Sequence, residues 1–340
     1  MAGAEPDRQL AAQIRAASTQ HPGGWPAWPA YALIDDLLPT LEAWAAAGKR
    51  YALATLIEVL GSSPRPVGSE MAVNEDGEMA GYVSGGCVEA AVAVEALAAL
   101  ADGQPRLLDY GAGSPVLDVQ LSCGGRIRIL VRALADGTAY ARALRDARQR
   151  RQPLQVLTDL HSGAMQWRDA IPSPASDAAN THVQTLLPPL RLILIGGDPI
   201  VLSLMQLAPL FGMETVLLRP RGPEAPAQAP WTPMLYDRRG IEAALQDLQL
   251  DDRCAIYTLS HDADVDHAVL RHALRSAAYC IGALGSRSKA QNRRARLQAE
   301  GFGETDLARL HSPAGLNIGA RTPQEIALSI LGQVLADRAR

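Results

Sequence analysis

Hydrophobic positions change period repeatedly along the chain, and each change marks an element. Leu33, Leu37, Leu41 and Trp44 recur at helical spacing, which predicts a helix over 31–48 ended by Gly48. Tyr51 to Leu60 is nearly continuous in apolar residues, the pattern of a strand buried on both faces. Two half-apolar runs, Glu70 to Asn74 and Glu78 to Val83, flank Asp76-Gly77 and read as a tight hairpin. Ser84-Gly85-Gly86-Cys87 then delivers the chain into an Ala-rich helix from about Val88 to Leu100. Strands are expected at Arg106 to Tyr110, Val116 to Leu121 and Arg126 to Val131, and a helix at Tyr140 to Arg150. A hairpin follows around His161-Ser162-Gly163.

The second half alternates differently. Apolar strands at Leu190 to Ile195, Glu214 to Leu218, Arg253 to Leu259 and Ala278 to Ile281 alternate with helical stretches. Those stretches run from Pro199 to about Phe211, Ile241 to Leu248, Asp264 to Arg275 and Arg287 to Glu300. Strands alternating with helices imply a parallel sheet with right-handed crossovers. Thr322-Pro323-Gln324-Glu325 is a capping box opening a last helix, Pro323 to Ala336. The expected fold is therefore α/β: an N-terminal mixed α+β domain followed by a Rossmann-like parallel-sheet domain. The divisions read from the pattern are an N-terminal arm over 1–30, a first domain over 31–170, a linker over 171–189 and a second domain over 190–340. The arm holds a short helix, Asp7 to Ala17, and Trp25 and Trp28, which are expected to pack on the body.

A length of 340 residues allows two cores. With 48% hydrophobic and 20% charged residues the composition is that of a globular protein. A net charge of −4 gives no electrostatic reason to expect nucleic acid. No apolar run is long enough for a membrane span, and the N-terminus has no apolar signal core, so a cytoplasmic location is expected. The four cysteines, at 87, 123, 254 and 280, have no zinc spacing and are expected to be reduced.

The chemistry concentrates in two places. The glycine turn 84–87 opens a helix and aims bare N–H groups outward, where an anion can sit. Cys87 stands at that helix start, where the dipole favours thiolate. Arg65, between Pro64 and Pro66, adds a positive charge. A second Cys-Gly-Gly, Cys123-Gly124-Gly125, precedes the strand at 126 and suggests a shared rim with two thiols. A small cysteine after two glycines also serves simple packing. In the second domain, Gly285-Ser286-Arg287 follows a strand at its C-terminal end, where open α/β sheets bind ligands. The dinucleotide fingerprint fails there: Asp198 replaces the glycine that lets a pyrophosphate approach, and Arg219 replaces the acidic residue that binds a ribose hydroxyl. NAD(P) is therefore not expected. His261, Asp264 and Asp266 imitate a metal cluster, although short acidic residues opening a helix more often cap it.

The segments GSSPRPVGSEMAV, GYVSGGCVEAAV, LSCGGRIRILV, YCIGALGSR and GLNIGARTPQEIALSI resemble the XdhC/CoxI family, in family order, from about Tyr31 to Leu335. The resemblance implies a chaperone that binds the molybdenum cofactor, protects it while a cysteine desulfurase-type donor supplies sulfur, and inserts it into an apo-molybdoenzyme of the xanthine dehydrogenase/aldehyde oxidase type. Such an accessory factor has no turnover of its own. The cofactor is molybdopterin, and whether it carries a cytosine nucleotide stays open. The family motifs contain Arg65, Gly68, Ser69, Ser84, Gly85, Gly86 and Cys87 in the first region. They contain Cys123, Gly124 and Gly125 in the second, and Gly285, Ser286 and Arg287 in the third. Cys87 and Cys123 are the candidate contacts to molybdenum or to a transferable sulfur. A homodimer would help bury a labile ligand. Two alternatives stay open: an NAD(P)-dependent oxidoreductase, argued from fold alone, and an adaptor that has lost ligand binding.

Overall fold

The apolar run at 51–60 is the middle of an antiparallel sheet in the computed structural model, which describes residues 30–114, 121, 124–169 and 180–338. The chain divides into one unit ending at Pro188 and another opening at Pro189. In the first, helix α1 (Leu38–Ala46) leads into β1 (Tyr51–Leu60), then the hairpin β2 (Glu70–Asn74) and β3 (Met79–Gly81). Helix α2 (Glu89–Asp102), strands β4 (Arg106–Gly111) and β5 (Arg126–Ala133), and helix α3 (Gly137–Arg150) follow. The five-stranded order is β3-β2-β1-β5-β4. Strand β1 alternates between two cores, which is why its apolar run is unbroken. Ala52, Ala54 and Leu56 pack with Val92, Ala96 and Ala99 of α2, while Tyr51 and Leu53 pack with Leu41, Trp44 and Tyr140.

The second face is covered further by a small antiparallel sheet of β6 (Leu154–Asp159), β7 (Met165–Asp169) and β8 (Thr181–Leu186), ordered β7-β6-β8. Strand β8 corrects the linker expected over 171–189. Thr181–Leu186 pairs with β6, Thr158 opposite His182, and belongs to the first unit. The helix expected over 31–48 also starts late. A short 3₁₀ turn, Ala30–Leu33, leaves Leu33 exposed, and α1 begins at Leu38 with Pro39 in its first turn, where the missing N–H has no intrahelical partner to lose. The arm helix with Trp25 and Trp28, Cys123, and all but Leu121 of the strand expected at Val116 to Leu121 lie outside the described residues.

The second unit is a parallel sheet flanked by helices. Its elements run β9 (Leu190–Ile195), α4 (Pro199–Leu207), β10 (Met213–Leu218), β11 (Leu235–Asp237), α5 (Ile241–Gln246), β12 (Cys254–Thr258) and α6 (Ala263–Leu274). They continue with β13 (Cys280–Ala283), α7 (Arg287–Ala299), α8 (Glu304–Leu307), β14 (Leu310–His311) and α9 (Pro323–Arg338). The order β11-β10-β9-β12-β13-β14 reverses direction between β9 and β12. Leu192 and Leu194 face α4 and α9, while Ile193 and Ile195 face α5, α6 and α7. The short strands β11 and β14 give no alternating run long enough to read. The capping box forms: Glu325 accepts from the N–H groups of Arg321 and Thr322, and Thr322 Oγ1 accepts from Glu325 at 3.3 Å. No helix among the described residues is long and apolar enough to cross a membrane.

Candidate functional site

Strand directions bring the sequence motifs of the first unit to one end of its sheet. Strand β1 finishes there at Leu60, β2 starts at Glu70, β3 finishes at Gly81 and β5 starts at Arg126. The loop 61–69, the turn 82–88 and the turn into β5 are therefore neighbours. Backbone approach confirms it. A Cβ on Gly85 would lie 3.1 Å from Pro64 Cγ, and one on Gly125 would lie 2.1 Å from Ser62 O. Gly125 thus serves close packing of backbone on backbone. Gly125→Ala is expected to lower stability by about 2–3 kcal/mol, checked by denaturant unfolding; an unchanged midpoint would show that the loop yields without cost.

The glycine turn holds an anion, but one from the chain itself. The Glu89 carboxylate folds back over the turn and accepts from the N–H groups of Val83 (3.1 Å), Ser84 (2.8 Å), Gly85 (3.2 Å), Gly86 (2.9 Å) and Val88 (3.2 Å). The Ser84 hydroxyl donates to it at 2.8 Å, and accepts from the N–H groups of Cys87 and Val88. Burial pushes the Glu89 carboxyl up, but this ring of donors outweighs it and holds the group below its usual range. The open anion seat expected at Ser84–Gly86, which the resemblance would give to a phosphate, is therefore already filled. The reason is local: these N–H groups belong to the turn ahead of α2, Val88 offers no side-chain acceptor, and the first acidic side chain of the helix reaches back over the turn to take them. Gly85 and Gly86, at φ +98° and +107°, give the backbone the curvature that aims these N–H groups inward.

What remains outward is the chemistry of side chains. Cys87 is exposed at the tip of the turn. Arg65 lies across the Tyr82 ring, 4.2 Å from its centroid, and pairs with Asp35 at 2.9 Å. Gly68 and Ser69 instead shape the loop. Gly68 N–H donates to Leu56 O, its carbonyl accepts from Gln184, and the Ser69 hydroxyl donates to Pro66 O. Gly124, at φ +72°, closes a turn onto Leu121 O.

In the second unit, Gly285, Ser286 and Arg287 follow β13. Ser286 Oγ accepts from Lys289 N–H and caps α7, and a Cβ on Gly285 would lie 2.9 Å from Arg293. Arg293 pairs with Asp266, which also accepts from Thr258 and Ser260. Asp266 is thus buried and fully engaged, so the imitation of a metal cluster by His261, Asp264 and Asp266 does not form. Among the described residues the group with metal-ligand spacing is Cys280, His311 and Asp337, their ligand atoms within 4.8 Å. In that group Cys280 is buried, His311 and Asp337 are half-buried, and His311 Nε2 is hydrogen-bonded to Asp337. Tyr257 lies 3.2 Å from Cys280 Sγ, and burial pushes the Cys280 thiol up to about 12. A cavity of about 670 Å³ opens at the C-terminal edge where β9 and β12 diverge, lined among others by Gly197, Asp198, Arg219 and His261. The Asp198 carboxylate accepts from the N–H groups of Ile200 and Val201 and caps α4.

Residues 44–111 match the XdhC and CoxI family, and residues 192–334 match the XdhC Rossmann domain. The molybdenum cofactor insertion chaperone PaoD of Escherichia coli is 30% identical over 293 residues, spanning 86% of this chain and 84% of PaoD. The chain belongs to the XdhC and CoxI family. A Bacillus subtilis protein, a probable xanthine dehydrogenase subunit, is 27% identical over 85% of this chain and 93% of its own length. The fold matches the solved structure of a Bacillus halodurans protein described as a xanthine dehydrogenase, with a TM-score of 0.74 at 24% identity over 89% of this chain and 96% of that one. This family member therefore combines an antiparallel unit carrying the glycine turn with a Rossmann unit. Of its two most constrained residues, Glu89 reads in the sequence only as a complement to the helix dipole, and the buried Arg132 is missed. For Glu89 the signal was present: an acidic residue in the first turn of a helix that lacks a capping side chain.

Proposed function

We propose that this chain is a cytoplasmic molybdenum-cofactor chaperone, a maturation factor with no turnover of its own. It holds the cofactor while a cysteine desulfurase-type donor installs sulfur, then inserts it into an apo-enzyme of the xanthine dehydrogenase/aldehyde oxidase type. The relation to PaoD across most of both chains supports the class of activity. The observation that carries the reading is the placement of Cys87. It is exposed on a turn whose N–H groups are taken up by Glu89 and by the Ser84 hydroxyl, with the Arg65 guanidinium on the adjoining loop. The reactive group offered at this sheet end is thus an exposed thiol, next in the fold to the loop that carries Arg65 and its partner Asp35. A thiolate is a soft donor suited to molybdenum or to a mobile sulfur, and a guanidinium suits a phosphate or an oxyanion. Asp198, by capping α4, occupies the N–H groups a dinucleotide pyrophosphate needs and counts against an NAD(P) oxidoreductase.

The test is anaerobic copurification from a host that makes the cofactor, with molybdenum and oxidised pterin quantified per chain. Wild type is expected to carry near-stoichiometric pterin. Cys87→Ala is expected to lower it at least about fivefold with an unchanged melting temperature, because an exposed thiol contributes little packing. Equal retention in the variant would remove Cys87 from the site. No pterin in wild type would favour an adaptor. Light scattering of the loaded and empty protein tests whether holding the cofactor is accompanied by a homodimer.

A further inference from the structure

We infer that the Rossmann unit carries a second ligand site, built for a phosphomonoester on a donor-bearing nitrogen heterocycle and closed to a dinucleotide pyrophosphate. The cavity at the β9/β12 divergence is lined by charges of opposite sign that come from different strands: Asp198 follows β9 and Asp262 follows β12. On the β10/β11 side stand Arg219 and Arg221, after β10, and Arg238, after β11. Arg219 follows β10 and its guanidinium lies close against Gly197 of the glycine turn. A Cβ on Gly197 would be 2.2 Å from Arg219 Nε and 2.5 Å from Cζ, and one on Gly222 would be 2.9 Å from its Cγ and Cδ. Two glycines therefore make a slot that places this one side chain. The backbone ties the three together: Gly222 N–H donates to Arg219 O at 2.9 Å, Arg221 N–H to Arg238 O at 3.3 Å, and Arg238 Nε to Gly222 O at 2.9 Å. Among the described residues none of the three has a carboxylate partner. Arg239 on the same edge shows the contrast, since it is bound by Asp237 and Asp247.

The β9/β12 side carries the carboxylates. Asp198 caps α4 through Ile200 and Val201, and Asp262 caps α6 through Asp264 and Val265, at 2.9 and 3.2 Å for the latter pair. Both helix N-termini at the cavity are thus filled by carboxylates. Each carboxylate has a second oxygen able to accept from a donor. A pyrophosphate laid along the turn would meet Asp198 and displace Arg219 from its slot. A dianionic phosphate at the arginines, with amino or ring N–H groups at the carboxylates, meets complementary charge at both. The volume suits a ligand of this size.

Two sources share that chemistry: a free nucleoside monophosphate, and a pterin bearing a terminal phosphate. In the second case the inference rests on the chaperone reading; in the first it stands without it. The test is calorimetric titration of the purified full chain with CMP, GMP, NAD, inorganic phosphate, and the oxidised pterin phosphate prepared from a molybdoenzyme. At least one phosphomonoester is expected to bind tenfold or more tightly than both NAD and inorganic phosphate. Arg221→Ala, an exposed position with no packing to lose, is expected to weaken it at least fivefold with an unchanged melt. Asp198→Gly is expected to narrow the gap to NAD. Tight binding of CMP or GMP identifies a nucleotide site, and selective binding of the pterin phosphate identifies a cofactor site. NAD binding as tightly as the best phosphomonoester, or an unaltered affinity in Arg221→Ala, overturns the inference. So does the absence of binding by every phosphomonoester probe, even if copurification places the cofactor on the first unit.

Discussion

Glu89→Gln is expected to lower the melting temperature of the first unit by about 10 °C, the equivalent of about 3 kcal/mol for a unit of this size. The carboxylate collects six donors, five backbone N–H groups and the Ser84 hydroxyl. An amide replaces one accepting oxygen by an NH₂ that points further donors into the same nest. The donors on that side are then left without an acceptor, and each buried one costs about 1–3 kcal/mol, offset by relaxation of an exposed turn. The pH dependence fixes the mechanism. The folded Glu89 carboxyl titrates below its usual range, so its contribution is complete above the unfolded value of about 4.3 and is lost as pH falls through the folded value. The gap between wild type and variant is therefore full at pH 7 and closes in acid. A gap that stays constant down to pH 3 would mean that shape, and not charge, holds the turn. The variant is also expected to lose cofactor retention, because opening the turn displaces Cys87. Cys87→Ala is expected to lose retention without the stability change, so the pair separates the thiol from its support.

How much was legible follows from which forces are local. The strand at 51–60 was readable because its residues serve two cores, and a chain buried on both faces shows an unbroken apolar run. The β2–β3 turn was readable because Gly77, at φ +81°, supplies the dihedral that the turn needs, while Asn74 Oδ1 accepts from Asp76 and Glu78. The parallel sheet followed from alternation alone. Strand β8 was not readable: its half-exposed THVQTL run follows a Pro- and Ala-rich stretch, and only pairing with β6 makes it a strand. At the turn, the glycines mark where N–H groups converge, but groups expected to face outward to an anion are turned inward onto an internal carboxylate. Arg132 lay hidden for a related reason. In RIRILVRA an arginine reads as solvent-facing, and nothing in the pattern shows that a second sheet and a helix close over it.

Arg132→Met is expected to cost about 3 kcal/mol or more, the largest loss of any single substitution proposed, although it exchanges a charge for an apolar side chain. Arg132 is 1% exposed. Its Nη1 donates to Thr55 Oγ1 at 2.8 Å, its Nε lies 2.9 Å from Met165 Sδ, and its Nη2 stands 3.8 Å from Glu70 Oε1. Burial pushes the Glu70 carboxyl up, and Arg132, with hydrogen bonds from Thr55 and Gln184, only partly restores it. Without Arg132 that carboxylate is a buried charge with no counterion. The loss thus belongs to the partner left behind, and Glu70→Gln in the same chain is expected to recover at least half of it; a double-mutant cycle measures the coupling. A carboxyl raised in the folded state carries its penalty only once pH exceeds the unfolded value of about 4.3, and carries it fully above the folded value. The variant is therefore expected to lose more stability at pH 8 than at pH 5. His182 acts in the same sense: burial and Arg132 both depress it, so removing the arginine relieves its cost of protonation in acid. Unfolding midpoints of wild type, both single variants and the double variant at the two pH values decide the matter. An equal loss at both, with no recovery from Glu70→Gln, would assign the role of Arg132 to packing of its stem between the sheets and not to its charge.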